Sequence, residues 1–153
     1  MQVIGIDPGT TGALAVHDKG ELVYIGDLPT HGGRIDGNAL ADIITEYSGP
    51  VYLEDTHAMP KNGSIASYSL GLSSGIVIGV VQTLERPLVR VRPMAWKTKM
   101  GVTKRTKDEI RGIVRELYPK WATTFARVKD HNRAEAVLIS RYGVAMQLQE
   151  VNQ

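Results

Sequence analysis

The chain has 153 residues, of which 42% are hydrophobic and 22% are charged, a length and balance typical of one globular domain. It contains no cysteine, which excludes a disulfide framework and a thiolate zinc site. The net charge of +2 is unevenly distributed, because residues 86–129 carry 13 Lys or Arg against three acids. This basic segment, with a local net charge of +10, predicts an anion-binding surface, and nucleic acid is the anion that best fits it.

The N-terminus has no basic stretch followed by an apolar segment, and the most apolar run, residues 76–81, is too short to span a bilayer. We therefore expect a cytoplasmic protein with no membrane partner. We also expect no small-molecule substrate, and the sequence has no GxxxxGKS phosphate loop.

Turn signals and hydrophobic spacing predict the elements in chain order. Three antiparallel strands are expected at residues 2–7, 12–17 and 21–26. A polar link at 29–37 leads into a helix at 39–47. The later expected elements are a strand at 51–54, a long helix at 63–84, a strand at 88–91, a helical turn at 93–99, a loop at 100–104, and helices at 106–118 and near 131–147. This order predicts an α/β fold with one mixed sheet, forming a single domain over residues 1–153.

Two acidic side chains each end an apolar run that is predicted to be a buried strand. Asp7 follows residues 3–6 and opens a glycine-rich turn, and Glu54 follows residues 51–53. If these strands are neighbours, the two carboxylates meet at one edge of the sheet and repel each other unless a cation lies between them. Oxygen donors without Cys or His favour Mg²⁺ or Mn²⁺. The alternatives are a simple tight turn at Asp7 and a Glu54 side chain that reaches solvent.

Glycines at positions 71, 75 and 79 recur at every fourth residue of the long predicted helix. They form one stripe along the helix, where another backbone can approach closely. The stripe predicts either close packing on the sheet or a contact between two copies of the chain.

Several motifs together match one known family. They are Gly5-Ile6-Asp7-Pro8-Gly9, Leu53-Glu54, Pro60-Lys61-Asn62-Gly63-Ser64, Trp96-Lys97, Lys107, and Ala134-Glu135-Ala136-Val137-Leu138-Ile139. With them the chain resembles the RuvC family of Holliday-junction resolvases, in the ribonuclease-H-like superfamily, and its length is similar to that of phage-type members. The resemblance implies a ribonuclease-H-like fold, with a five-stranded mixed sheet flanked by helices. It also implies a homodimeric, metal-dependent endonuclease that symmetrically nicks four-way and other branched DNA junctions.

The resemblance assigns roles to individual residues. It implies that Asp7, Glu54 and Glu135 bind metal, with two Mg²⁺ ions in each active site and Mn²⁺ able to replace them. It implies that Lys97 and Lys107 contact phosphate near the reacting bond.

Asn132 departs from the family pattern, which generally has an acidic ligand or a histidine three residues before the last one. Asn132 and Glu135 share a helix face, so Asn132 can still act as a catalytic metal ligand, but its amide brings no charge. We therefore predict weakened cleavage with junction binding retained, whether Asn132 is natural or a substitution. His131 shares this face and is an alternative ligand, whereas Asp130 would point elsewhere. Asn132 and Glu135 also fit a capping box, and Asp130 fits an N-cap.

DNA contacts are predicted on two surfaces. The segment before the long helix is expected to approach the junction centre through Lys61, Asn62 and Ser64. Basic side chains are expected to follow backbone phosphates: Arg92, Lys99, Lys104, Arg105 and Arg111. Tyr68 is expected either to pack in the core or to stack on an unpaired base. His17, His31 and His57 have no metal-binding spacing and are expected in turns or on the surface.

Three other functions fit parts of the sequence. The chain fits a junction-binding protein without cleavage activity, or a ribonuclease-H-like nuclease that acts on other substrates. Residues 5–12 also look like the first phosphate motif of actin-like ATPases. That last interpretation lacks a second such motif and leaves the basic segment unexplained.

Overall fold

The computed structural model describes residues 1–57 and 60–152. Seven strands are present in this part of the chain: β1 (Gln2–Asp7), β2 (Ala13–Asp18), β3 (Glu21–Asp27), β4 (Thr30–His31), β5 (Arg34–Ile35), β6 (Val51–Glu54) and β7 (Leu88–Val91). Five of them form one sheet in the order β3-β2-β1-β6-β7. The first three strands pair antiparallel, and β6 and β7 extend the sheet in parallel with β1. The predicted α/β fold with one mixed sheet is confirmed.

Five α-helices accompany the sheet: α1 (Gly37–Thr45), α2 (Ser64–Thr83), α3 (Pro93–Lys99), α4 (Lys107–Leu117) and α5 (His131–Val151). The predicted polar link at 29–37 contains the β4–β5 hairpin, which turns at Gly32 and Gly33 with φ angles of 57° and 76°. Two 3₁₀ segments, Pro119–Phe125 and Val128–Asp130, connect α4 to α5 and were not predicted.

The core has two layers because β1 alternates its side chains between the two faces of the sheet. Val3 packs with α4 and α5, whereas Ile4 and Ile6 pack with α1 and α2. Glycines allow α5 to approach β1 closely. A Cβ atom on Gly5 would lie 2.7 Å from the carbonyl oxygen of Ala136, and closer still to the backbone nitrogen of Ser140.

Helix α2 packs on the sheet through Ser73, Val77 and Val81. Its glycine stripe lies elsewhere, because Cβ atoms added at 71, 75 and 79 would meet no described atom within 4 Å. The alternative in which these glycines pack on the sheet is therefore wrong. By length and composition alone, the 20-residue α2 could cross a membrane, which the six-residue apolar run did not predict.

Candidate metal centre and nucleic-acid interface

Asp7 and Glu54 follow the last paired residues of two adjacent parallel strands. Ile6 of β1 lies opposite Leu53 of β6, so the next residue on each strand emerges at the same edge of the sheet. Asp7 is only 7% exposed, and Glu54 is half-buried. The predicted convergence of the two strand ends is therefore present in the structure.

Helix α5 brings Glu135 to this edge. The close approach at Gly5 fixes the helix against β1, with the first turns of α5 beside the end of the strand. Glu135 has 12% of its side chain exposed, and its Oε1 lies 3.9 Å from Nζ of Lys97. Lys97 comes from α3, so three separate parts of the chain meet around one acidic group.

The electrostatics identify an excess of negative charge. Burial raises the pKa of Asp7 well above its ordinary value, and the charges of Glu135 and Glu54 raise it further, against the opposing effect of Lys107 and Lys97. Burial is also the main cause of the raised pKa of Glu54. The hydrogen bond from Trp96 lowers this pKa, the charge of Glu135 raises it, and the charges of the two lysines lower it. The charged forms of Asp7 and Glu54, which burial and neighbouring carboxylates disfavour, would be stabilised by a cation.

The donor set fits Mg²⁺ or Mn²⁺, since it consists of carboxylate oxygens. Within the described ranges, no group of three His, Asp or Glu side chains already has metal-binding geometry.

Asn132 is held by the turn between β1 and β2. Its amide nitrogen donates to the carbonyl oxygen of Thr11 at 2.5 Å and lies 3.3 Å from the Thr11 hydroxyl. Since α5 begins one residue earlier, at His131, Asn132 is inside the helix and its side chain does not cap it. The alternative of an Asn132–Glu135 capping box is therefore wrong.

His131 lies beside the second predicted phosphate-binding lysine. Its Nδ1 is 3.1 Å from the carbonyl oxygen of Val128, and its Nε2 is 3.2 Å from Nζ of Lys107. A carbonyl can only accept, so Nδ1 carries the proton and Nε2 is free to accept. His131 therefore presents a lone pair toward Lys107, one of the lysines whose charge acts on Asp7.

Two other acidic side chains near the site are already paired. Asp130 accepts from the backbone and guanidinium of Arg127 and lies 3.6 Å from Arg133. Asp130 occupies the N-cap position of α5 but makes no side-chain capping bond. Asp55, next to Glu54, is paired with Arg90. These pairs leave the site to Asp7, Glu54 and Glu135.

The predicted DNA contacts differ in their exposure and in the bonds that they form. Four are exposed and form no side-chain bond to another element in the described ranges: Lys61, Asn62, Arg92 and Lys104. Arg105 is exposed and pairs with Glu109 within its own helix region. Ser64 begins α2, and Lys99 lines a cavity with His17 and Arg141.

Arg111 differs from the other predicted phosphate contacts. Its guanidinium donates to the carbonyl oxygens of Phe125 and Ala126 and to Asp108, and its side chain is only 15% exposed. This placement makes Arg111 part of the connection between α4 and α5 and leaves little of its side chain on the surface.

Tyr68 is 68% exposed near the N-terminal end of α2, and neighbouring Ile65 is 85% exposed. The expectation that Tyr68 packs in the core is wrong.

The expectation that His17 lies in a turn or on the surface is also wrong, because it is buried in β2 with 1% exposure. Its Nδ1 lies 2.8 Å from the Ser140 hydroxyl, and its Nε2 lies 2.9 Å from the Tyr118 hydroxyl. These partners are more than 100 residues away in sequence, so spacing along the chain gives no sign of them.

Comparison with known proteins supports the interpretation of the fold. No protein-family model matches the chain. The chain is 28% identical over 94 residues to the chloroplastic Holliday junction resolvase MOC1 of Chlamydomonas reinhardtii, in a match that covers 61% of this chain and only 11% of that protein.

Two solved structures of RuvC from Thermus thermophilus match over nearly the whole chain. One, with a TM-score of 0.69 and 20% identity, covers 96% of this chain and 97% of that one. The other, in complex with a Holliday junction substrate, has a TM-score of 0.67 and 16% identity, and covers 95% of this chain and 96% of that one. The predicted resemblance to RuvC is confirmed in these neighbours, and the chain has the ribonuclease-H-like fold of the RuvC Holliday junction resolvases.

Proposed function

We propose that this chain is a metal-dependent endonuclease that binds four-way and other branched DNA junctions and nicks them symmetrically as a homodimer. The observation that carries the proposal is the meeting of Asp7, Glu54 and Glu135 at one sheet edge, beside Lys97 and Lys107, in a RuvC-like fold. The similarity to a junction resolvase and to RuvC bound to a junction supports the choice of substrate.

Asp7, Glu54 and Glu135 would hold the metal, and Mg²⁺ or Mn²⁺ fits their oxygen donors. We propose two ions in each active site, with Asp7 as the shared ligand. When bound, such ions polarise the phosphodiester and promote ionisation of an attacking water. Asn132 could contribute its amide oxygen, since its bond to Thr11 uses only the amide nitrogen.

The lysines have a separate role. Lys97 and Lys107 place two positive charges beside the carboxylates, where they can bind the scissile phosphate and stabilise the negative charge that grows on it. The reaction that this arrangement suits is in-line attack of water on phosphorus, with the 3′ oxygen leaving. The products are a 5′-phosphate and a 3′-hydroxyl.

The exposed basic side chains would follow the DNA backbone, which would make binding strongly dependent on salt. Lys61 and Asn62 precede α2, and Tyr68 is exposed within the first turns of that helix. A flat exposed aromatic side chain is suited to stacking on a base that is unpaired at the junction.

The glycine stripe of α2 supports the homodimer. Gly79 lies at a groove of about 360 Å³ between α1 and α2, lined also by Ile76 and Val80. An exposed apolar helix face with small residues allows two copies to approach closely, and a two-fold axis would place one active site on each of two opposed strands.

A second candidate function is junction binding without cleavage. It is favoured by Asn132, whose neutral amide is bonded to Thr11 and stands where the family generally has an acidic ligand or a histidine. The Asn132→Asp variant separates the two functions, because an added carboxylate should raise cleavage without changing binding of the junction.

The proposal is tested with a labelled four-way junction and an excess of unlabelled duplex competitor. We expect a selective gel shift in Ca²⁺ and cleavage in Mg²⁺ or Mn²⁺, with an RNA–DNA hybrid and a linear duplex left intact. Asp7→Asn is the control and should keep the shift while losing cleavage. Equal binding to junction and duplex would refute the proposed substrate.

A further inference from the structure

Trp96 lies at the point where α3 meets the acidic edge of the sheet, and its side chain is fully buried. We propose that Trp96 is a positioning residue that orients Glu54 for cation binding. The inference rests on the proposed function, because it assumes that Glu54 binds metal.

The first step in the argument is the bond between the two side chains. The indole N–H of Trp96 donates to Oε2 of Glu54 at 2.6 Å. An indole N–H can only donate, and a buried donor needs an acceptor. Glu54 satisfies this need, and in return one of its two oxygens is fixed. The other oxygen is left for a ligand.

The second step is that the same indole supports the opposite side of the site. Nζ of Lys97, the residue next to Trp96, lies 5.2 Å from the centre of the indole ring. The same Nζ is 3.9 Å from Oε1 of Glu135. A cation over an aromatic face is attracted by the ring. One buried side chain therefore contacts both the carboxylate on β6 and the lysine that faces the carboxylate on α5.

A simple space-filling role would not require the N–H. Trp96 packs in the apolar cluster with Val91, Val102 and Ile110, and an apolar side chain of the same size could fill that space. Such a side chain would leave Glu54 free to rotate. Positioning partners of metal ligands commonly change metal affinity by about tenfold or more when they are removed.

The test removes the N–H and keeps the shape. The chain has two tryptophans, at 96 and 121, so the Trp121→Phe variant leaves one indole. Trp121 lies beside Glu21 and Leu22, at the edge of the sheet opposite to the carboxylates. Cells that express the Trp121→Phe variant are then supplied with benzothienylalanine in place of tryptophan. This replaces Trp96 by an isostere with sulfur in place of the N–H. Trp96→Phe is the genetically encoded second variant.

Mn²⁺ alone is the probe, and bound Mn²⁺ is measured from the loss of the free-ion signal in electron paramagnetic resonance. We expect the isostere to bind Mn²⁺ about tenfold more weakly than Trp121→Phe protein, with the same thermal unfolding midpoint. In Trp121→Phe protein, Mn²⁺ should also quench the fluorescence of Trp96 in a saturable way, and Asp7→Asn should reduce this quenching.

Equal Mn²⁺ affinity for the isostere and the Trp121→Phe protein would overturn the positioning role and leave the proposed nuclease intact. No saturable Mn²⁺ binding by either protein would overturn both the positioning role and the metal site. A lowered unfolding midpoint with unchanged Mn²⁺ affinity would assign Trp96 to packing alone.

Discussion

The buried histidine in β2 gives the most quantitative prediction for stability. His17 is bonded at both ring nitrogens, and its surroundings fix the direction of each bond. Ser140 donates to the carbonyl oxygen of Val137, so its oxygen accepts from Nδ1 of His17. Nε2 then accepts from the Tyr118 hydroxyl, which in turn accepts from Arg141. The network is complete only when His17 is neutral.

Burial, and then the charge of Arg141, lowers the pKa of His17 from 6.5 to about 4. In the unfolded chain His17 gains its proton at the higher value. Between the two values the unfolded state binds more protons, so the stabilisation is fully present above about pH 6.5 and is lost as the pH falls toward 4. At about 1.4 kcal/mol for each pH unit, the difference corresponds to about 3 kcal/mol.

The assay is urea unfolding between about pH 4 and about pH 7.5, for the parent protein and the His17→Phe variant. Since the variant also loses hydrogen bonds, the change with pH is compared, not the stability at one pH. The parent should gain about 3 kcal/mol more than His17→Phe over this interval. The matched control, His31→Gln, removes an exposed histidine outside the network. A His17→Phe variant with the same pH dependence as the parent would refute the argument.

Three further predictions concern packing, metal binding and DNA. Gly5→Ala should destabilise the fold by about 3 kcal/mol or more in thermal unfolding, because its Cβ would collide with the backbone of α5. Gly71→Ala, in contrast, should leave the fold stable and weaken dimerisation as measured by sedimentation. Asn132→Asp should bind Mn²⁺ more tightly and cleave junctions faster, and unchanged values in calorimetry and cleavage assays would contradict its place at the site. Lys104→Gln should lower the slope of log binding constant against log salt by about 1, and Arg111→Gln should lower stability and leave that slope unchanged.

The sequence predicted the elements that carry the acidic site well. The strands β6 and β7 and the helix α3 have the predicted bounds, because each is a short run between clear turn signals. Asp7 and Glu54 could be placed together because residues that end adjacent parallel strands must emerge at one edge.

Features that depend on contacts distant in sequence could not be predicted. The bond of Asn132 to Thr11 spans 121 positions, whereas the local spacing to Glu135 indicated only a shared helix face, with a capping box as the alternative. The two 3₁₀ segments have no helical period, and the first begins at Pro119. Sequence periodicity could not decide which face of α2 meets the sheet, because apolar residues occur all around it.

The most direct test of the central claim is to map the nicks on a four-way junction at nucleotide resolution, with the parent protein and Asp7→Asn in Mn²⁺. The account predicts paired nicks at symmetric positions on two opposite strands, with 5′-phosphate ends, and none with Asp7→Asn. Nicks that persist in Asp7→Asn, or that occur equally on linear duplex, would contradict the assignment of the carboxylate site to junction cleavage.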